Sequence, residues 1–190
     1  MRGHRAQAFM ATVAALLVCA ACSGGGPKTA PGGPPTGTTA TGLTLTRGQG
    51  FDRSGAFVRL MTCDDPRDYS PGLNFAHVPA GTAELAVSMV DLDAHKIHWL
   101  QLGIPADAHG LTAHHLTPGA REALNDFGEA TYDGPCPPHG TTHHYQLTLY
   151  ALRERTPASL NAKTPPAQTL RELQHRAVAS ATLVAPYTRR

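Results

Sequence analysis

This chain has little surplus charge of either sign. Its 190 residues carry 16 Lys and Arg against 14 Asp and Glu, and two of the cations, Arg2 and Arg5, sit in an N-terminal segment that reads as removable. Without residues 1–21 the balance is 14 against 14, so no basic stripe exists to hold nucleic acid or acidic lipid by charge alone. Any bound anion must be held locally. A membrane span is missing too, since the apolar run from Ala8 to Val18 falls well short of the ~20 residues one needs. Internal repeats are absent. So are a Gly-x-Ser-x-Gly elbow and a convincing nucleophile–base pair, and with them the usual marks of a hydrolase. The expectation is a non-enzymatic chain that needs no cofactor.

What is present at the N-terminus has a clear pattern. Arg2 and Arg5 precede the short apolar run, and small residues follow, as in a secretory signal peptide. Cys19-Ala20-Ala21-Cys22 resembles a bacterial lipobox, with Cys19 where leucine is usual, and makes Cys22 the candidate lipidated residue. Ordinary signal-peptidase cleavage, releasing a soluble exported protein, is the alternative. Residues 22–42 are dominated by Gly, Pro, Ser and Thr, a composition expected to form a disordered tether. The expected organisation is therefore a signal peptide at 1–21, a tether at 22–42 and a folded domain at 43–190. The localisation it implies is outside the cytoplasm, on a membrane facing the periplasm or cell exterior. In an exported domain the two remaining cysteines, Cys63 and Cys136, are a candidate disulfide. A buried free thiol at Cys136 is the alternative.

Within the domain, Ala56–Thr62 ("AFVRLMT") alternates weakly and predicts a strand. Thr82–Asp91 ("TAELAVSMVD") is apolar on both faces, the pattern of a central strand. Ile97–Ile104 and His143–Leu152 predict two more, the latter with His143, Tyr145, Leu147 and Leu149 on one face. Gly119–Leu124 suggests a short helical turn. A longer helix follows Thr164, a candidate N-cap, with Pro165 and Pro166 in the first turn and Leu170, Leu173, Ala177 and Ala181 as its core stripe. Pro186 either ends it or follows a last short strand. Strands followed by a C-terminal helix point to a mainly β fold, an antiparallel β-sandwich with short peripheral helices.

Histidine is the residue in surplus. Ten of the eleven lie beyond residue 21, and eight fall between His95 and His144. One reading leaves them as surface or satisfied core residues, and His77, His109, His114, His115 and His175 fit it. A metal reading uses His95 with His98, or His139 with His143 and His144. Spacing of three favours one face only on a helix, whereas these segments read as strand and loop. An anion reading brings His98 and His143 from two strands to Asp91 at the end of a third. The carboxylate would orient an imidazole and favour its protonated form, while Tyr145 and backbone N–H groups around Gly140 would add donors.

The segments "TCDDPRDYSPGLNF", "VPAGTAELAVSMVDLDA", "IHWLQLGIPA", "NDFGEATYDGPCPPHGTTHHYQLTLYAL" and "TLRELQHRAVASATLVAPYTR" together resemble the phosphatidylethanolamine-binding protein family, most closely its bacterial YbhB/YbcL or Raf-kinase-inhibitor-like branch. The resemblance runs in order from about Phe57 to Arg190. It implies a β-sandwich with a small anion site at one end, for phosphate or a phosphorylated head group such as phosphoethanolamine. The family's paired acids fall on Asp91 and Asp93, its histidine on His98, its proline-rich loop on Gly134–Pro138 with Pro137 at the site, and its His-x-Tyr on His143 and Tyr145. Leu92 and His95 stand where the family has prolines, so the site's floor is expected to be reshaped or entered by His95. His144 replaces an arginine, and Gly72 and Phe75 replace a proline and a tryptophan. Ser70 beside Pro71 belongs to a structural turn of the family. The expected partner is a small phosphate-containing ligand. Other branches suggest a protein-interaction role, as a protease or kinase inhibitor with an extracytoplasmic partner.

Overall fold

The computed structural model describes residues 42–190; the signal segment, Cys22 and nearly all of the tether lie outside the described residues. In chain order the elements are β1 (Thr44–Arg47), β2 (Leu73–Ala76), β3 (Glu84–Asp91), β4 (Lys96–Ile104), β5 (Gly110–Leu111), β6 (Arg121–Glu122), β7 (Thr142–Leu152), α1 (Pro166–Arg176) and β8 (Ala177–Thr188). The strands form two sheets, ordered β1-β2-β5 and β6-β4-β3-β7-β8, with every pairing antiparallel. This is the mainly β, two-sheet architecture that the strand pattern predicts.

β3 shows why the larger sheet is buried on both faces. Leu85, Val87 and Met89 pack into the core between the sheets, against Leu45, Leu73 and Phe75. Ala86 turns to the opposite face, where Leu100, Leu102 and Leu152 are covered by Leu160 and by Leu173 of α1. Burying each such leucine contributes about 1.5–3 kcal/mol, so both layers are needed to hold the sheet.

Three local expectations are corrected. Residues 56–62 are not a strand: Arg59–Met61 is a single 3-10 turn. The apparent alternation arises because Phe57 and Met61 both reach the inter-sheet core. Gly119–Leu124 is not a helical turn, because Arg121 and Glu122 pair with Leu102 and Gln101 as a sheet edge. Finally, the helix stops at Arg176, and Ala177 and Ala181 belong to the twelve-residue β8, which pairs with β7 along its length. Thr164 does not cap the helix; its hydroxyl donates to the Ser159 carbonyl, and Pro165 occupies the N-cap position.

Cys63 and Cys136 are joined as a disulfide, with Cα atoms 5.4 Å apart and a sequence separation of 73. It ties the proline-rich loop before β7 to the segment after the 3-10 turn. Replacing both cysteines with serine is expected to cost about 2–4 kcal/mol of stability, read as a lowered denaturant midpoint, with a steeper slope because the uncrosslinked denatured chain exposes more surface.

Candidate functional site: an Asp91–histidine cluster

Three strand ends build the site. Asp91 is the last residue of β3 and lies opposite Tyr145 of β7, which places His143 two residues away on the same face. On the other side, Met89 pairs with Trp99 and Val90 with Ile97, so one step of β3 spans two steps of β4. His98 is the extra residue of that bulge. A bulge re-aims a side chain, and this one, the first of two irregularities along β4, turns an imidazole toward Asp91.

The Asp91 carboxylate is 2% exposed and fully engaged. Its Oδ1 accepts the backbone N–H groups of Asp93 (2.8 Å) and Ala94 (2.9 Å). Its Oδ2 accepts His143 Nδ1–H at 2.7 Å and lies 4.0 Å from His98 Nε2. Burial pushes this carboxyl up, but the Ala94 N–H, the His143 ring and the Asp93 N–H together hold it below its ordinary value. Asp91 is therefore ionised at neutral pH.

The two imidazoles share one feature. A carboxylate and a carbonyl only accept, so the nitrogen facing each must carry the proton. His143 gives its Nδ1–H to Asp91, and His98 gives its Nδ1–H to the Asp133 carbonyl at 2.8 Å. In each ring only Nε2 remains, a lone pair when the ring is neutral and a donor when it is protonated. Burial lowers the His98 pKa, against smaller opposing effects of the Asp133 carbonyl and Asp91. His98 is thus neutral in the free protein. The Phe127 ring meets it edge-on at 4.8 Å and the Tyr145 ring at 5.3 Å.

Other predicted site residues sit differently. Asp93 is exposed, and its Oδ2 accepts the backbone N–H and Nδ1–H of His144 at 2.6 and 3.2 Å, so its bonds go to His144. Tyr145 contributes a wall, since its hydroxyl is buried without a hydrogen-bond partner. Burial, then the nearby Asp91 charge, pushes that phenol up. Pro137 is buried in its loop. The Gly140 N–H is bound to the Arg189 carbonyl at 2.8 Å, so it is no free donor. His95 is exposed in the β3–β4 turn at a φ of 55° and does not enter the site.

The metal groupings read from spacing are not assembled. His98 is buried while His95 is exposed, His139 Nδ1 donates to the Arg190 carbonyl, and His144 is held by Asp93. Among the described residues the one group with ligand atoms within 4.8 Å of one another is Asp91, Asp93 and His143. Two contributors escaped sequence reasoning. Asp133 acts through its backbone carbonyl, which leaves no side-chain signal. Phe127 lies in the "NDFG" motif, whose Asn125 side chain shapes the turn by accepting the Phe127 and Glu129 N–H groups.

The family model described as "Phosphatidylethanolamine-binding protein" matches residues 48–188. The chain belongs to this family. It is 36% identical over 163 residues to "Putative lipoprotein LppC" of Mycobacterium tuberculosis (strain ATCC 25618 / H37Rv), covering 78% of this chain and 80% of that protein. YbcL of Escherichia coli (strain K12) is 39% identical over 106 residues, covering 49% of this chain and 58% of YbcL. The crystal structure of E. coli YbcL superposes with a TM-score of 0.68 at 25% identity, over 78% of this chain and 99% of that one. CT736 from Chlamydia trachomatis shares the fold at a TM-score of 0.68 and 24% identity, over 80% and 100% of the two chains. These relatives place the chain in the YbhB/YbcL branch of the phosphatidylethanolamine-binding protein family.

Proposed function

We propose that this member of the phosphatidylethanolamine-binding protein family is a non-enzymatic binding protein that takes phosphate or a phosphorylated head group at the Asp91–His98–His143 cluster, and takes up protons as it does so. The observation that carries this reading is that both imidazoles have Nδ1 committed, to Asp91 and to the Asp133 carbonyl, and keep only Nε2 for a ligand. A phosphate oxygen needs a donor, and Nε2 donates only from the imidazolium form. Anion binding therefore pulls His98 away from the neutral state that burial favours.

The pH dependence has a definite sign. Affinity rises as pH falls, by about tenfold per pH unit for each proton taken up. Calorimetric titration of the full-length chain with phosphoethanolamine at pH 5.5, 6.5 and 8.0 tests this, with sulfate as a parallel probe whose charge does not change over the range. Tighter binding of both at low pH is expected; equal affinity for sulfate at all three overturns the reading. The free protein responds oppositely, because a depressed histidine pKa contributes stability at high pH that is lost as pH falls below the ordinary 6.5.

A binding role rather than catalysis accords with the cluster's bonds: among the described residues no hydroxyl or thiol is hydrogen-bonded to His98 or His143, and Cys63 and Cys136 are both in the disulfide. Placement outside the cytoplasm is supported by that disulfide, by the signal-like N-terminus and by the lipoprotein name of the relative LppC. We infer that Cys22 carries the anchor. Cys22→Ser is expected to shift the protein from the membrane fraction to the soluble fraction; retention of the variant on the membrane sinks this.

A further inference from the structure

Apart from the Asp91 cluster, a cleft of about 300 Å³ lies where the inner face of β4 and the edge strand β6 are overhung by the segments 67–70, 114–116 and 131–132. None of Asp91, His98, His143 or Tyr145 lines it. Its polar groups are mismatched in one direction. Asp68 Oδ1 and Gln101 Oε1 are buried acceptors without a donor. Glu122 lines the same cleft, with one oxygen taking the Trp99 Nε1–H at 2.9 Å. Burial pushes the carboxyl groups of both Asp68 and Glu122 above the ordinary range. The only arginine at the cleft, Arg67, is spent on Asp65 in a two-pronged contact of 2.8 and 3.0 Å.

The walls are aromatic. Trp99 and Tyr132 pack edge to face with centroids 5.5 Å apart, and Tyr69 stands at the mouth. Tyr69 already receives cationic or imidazole groups, with the Arg67 guanidinium carbon 5.8 Å from its ring centre and the His114 ring stacked at 3.5 Å. Leu116 adds an exposed apolar rim. Acceptors lacking donors, carboxylates lacking a bound counter-ion, and aromatic faces are together complementary to an organic cation. A primary ammonium meets every requirement, with three N–H donors for the oxygens and one positive charge for the acids. The volume suits a small body.

We propose that this cleft is a binding site for a primary alkylammonium group, engaged by Asp68, Gln101 and Glu122 and walled by Trp99, Tyr69 and Tyr132. The Gly134 N–H donates to Asp68 Oδ2 at 2.9 Å, one residue from the Asp133 carbonyl that orients His98. Occupancy therefore stiffens the loop that supports the anion site.

The test exploits a property of the sequence: Trp99 is the only tryptophan in the chain and it lines this cleft. Tryptophan fluorescence of the full-length protein would be followed during titration with n-butylammonium chloride at constant ionic strength, with tetramethylammonium chloride in parallel. A saturable change with n-butylammonium, at least tenfold weaker with tetramethylammonium, is expected. Asp68→Asn should weaken the response at least tenfold. Gln101→Leu should weaken it as well while leaving the melting temperature equal or higher, because it removes a buried acceptor that has no partner. Nα-acetyl-lysine methylamide binding more tightly than n-butylammonium would point to a lysine side chain as the natural source; the reverse order would point to a free amine. No saturable change in the wild-type protein, an equal response to tetramethylammonium, or an unaltered response in Gln101→Leu overturns the proposal.

Discussion

Asp91→Ala should lose about 3 kcal/mol of stability and weaken phosphoethanolamine binding at least tenfold. The stability cost follows from what the carboxylate satisfies: removing it leaves the backbone N–H groups of Asp93 and Ala94 and the His143 Nδ1–H without an acceptor, at a position 2% exposed. The affinity loss has a separate origin, since His143 loses the acceptor that fixes its Nδ1–H and so aims Nε2 at the ligand. Asp91→Asn separates the two. Its carbonyl oxygen can still accept the turn N–H groups, so more of the stability should survive, yet its amide nitrogen cannot accept the His143 Nδ1–H. Urea unfolding and calorimetric titration of both variants check this. An Asp91→Asn protein that binds like wild type would remove the acid from the binding mechanism.

Gly134→Ala should cost about 2–3 kcal/mol and also weaken anion binding, although residue 134 bears no functional group. A Cβ at this position would overlap Asp68 Oδ1 and come within 2.6 Å of the Met61 carbonyl oxygen. A backbone neighbour cannot swing aside as a flexible side chain can, so the loop itself must shift. That loop carries the Asp133 carbonyl and, two residues on, Cys136 of the disulfide. His98 therefore loses its fixed orientation. Thermal denaturation and phosphoethanolamine titration of Gly134→Ala check the coupling: stability lost with affinity intact would mean that His98 is held by its ring contacts alone.

The parts of this fold that were legible in the sequence are those where side-chain pattern and burial coincide. β3 is apolar on both faces because both faces are covered, and β7 alternates at its entrance because Tyr145, Leu147 and Leu149 face the inter-sheet core. β8 was misread for a specific reason. A spacing of four, as from Ala177 to Ala181, fits a helical period of 3.6 and equally two alternation periods of a strand, although a register break opposite Leu152 sends Ala177 to the other face here. The discriminating signal was the run Ala179, Ala181, Leu183, Ala185, Tyr187, buried at every second position. The edge strand β6 was not legible at all, since two residues have no period and their pairing to β4 is long-range.

At the site, residue types were legible and their bonding was not. The strand ends and the histidine surplus brought Asp91, His98 and His143 forward and the family resemblance matched them, but only the fold shows that His98 hangs from a backbone carbonyl and that the Tyr145 hydroxyl has no partner. The Gly140 N–H, expected as a ligand donor, is consumed where the loop pairs with the residues after β8. Backbone groups carry no sequence signature, so their engagement cannot be read from composition or spacing.

The central claim is proton-coupled anion binding through Nε2 of His98 and His143, and its most direct test is nitrogen-detected NMR of the imidazoles of the full-length protein during phosphoethanolamine titration at pH 7, with chelator present. Expected is a saturable change at both rings in which Nε2 of His98 converts from lone pair to N–H while its Nδ1 stays protonated, with Nε2 of His143 carrying a proton in the complex and His77 and His175 unmoved. Saturable binding that leaves His98 in its neutral tautomer, or that moves other histidines instead, would contradict it.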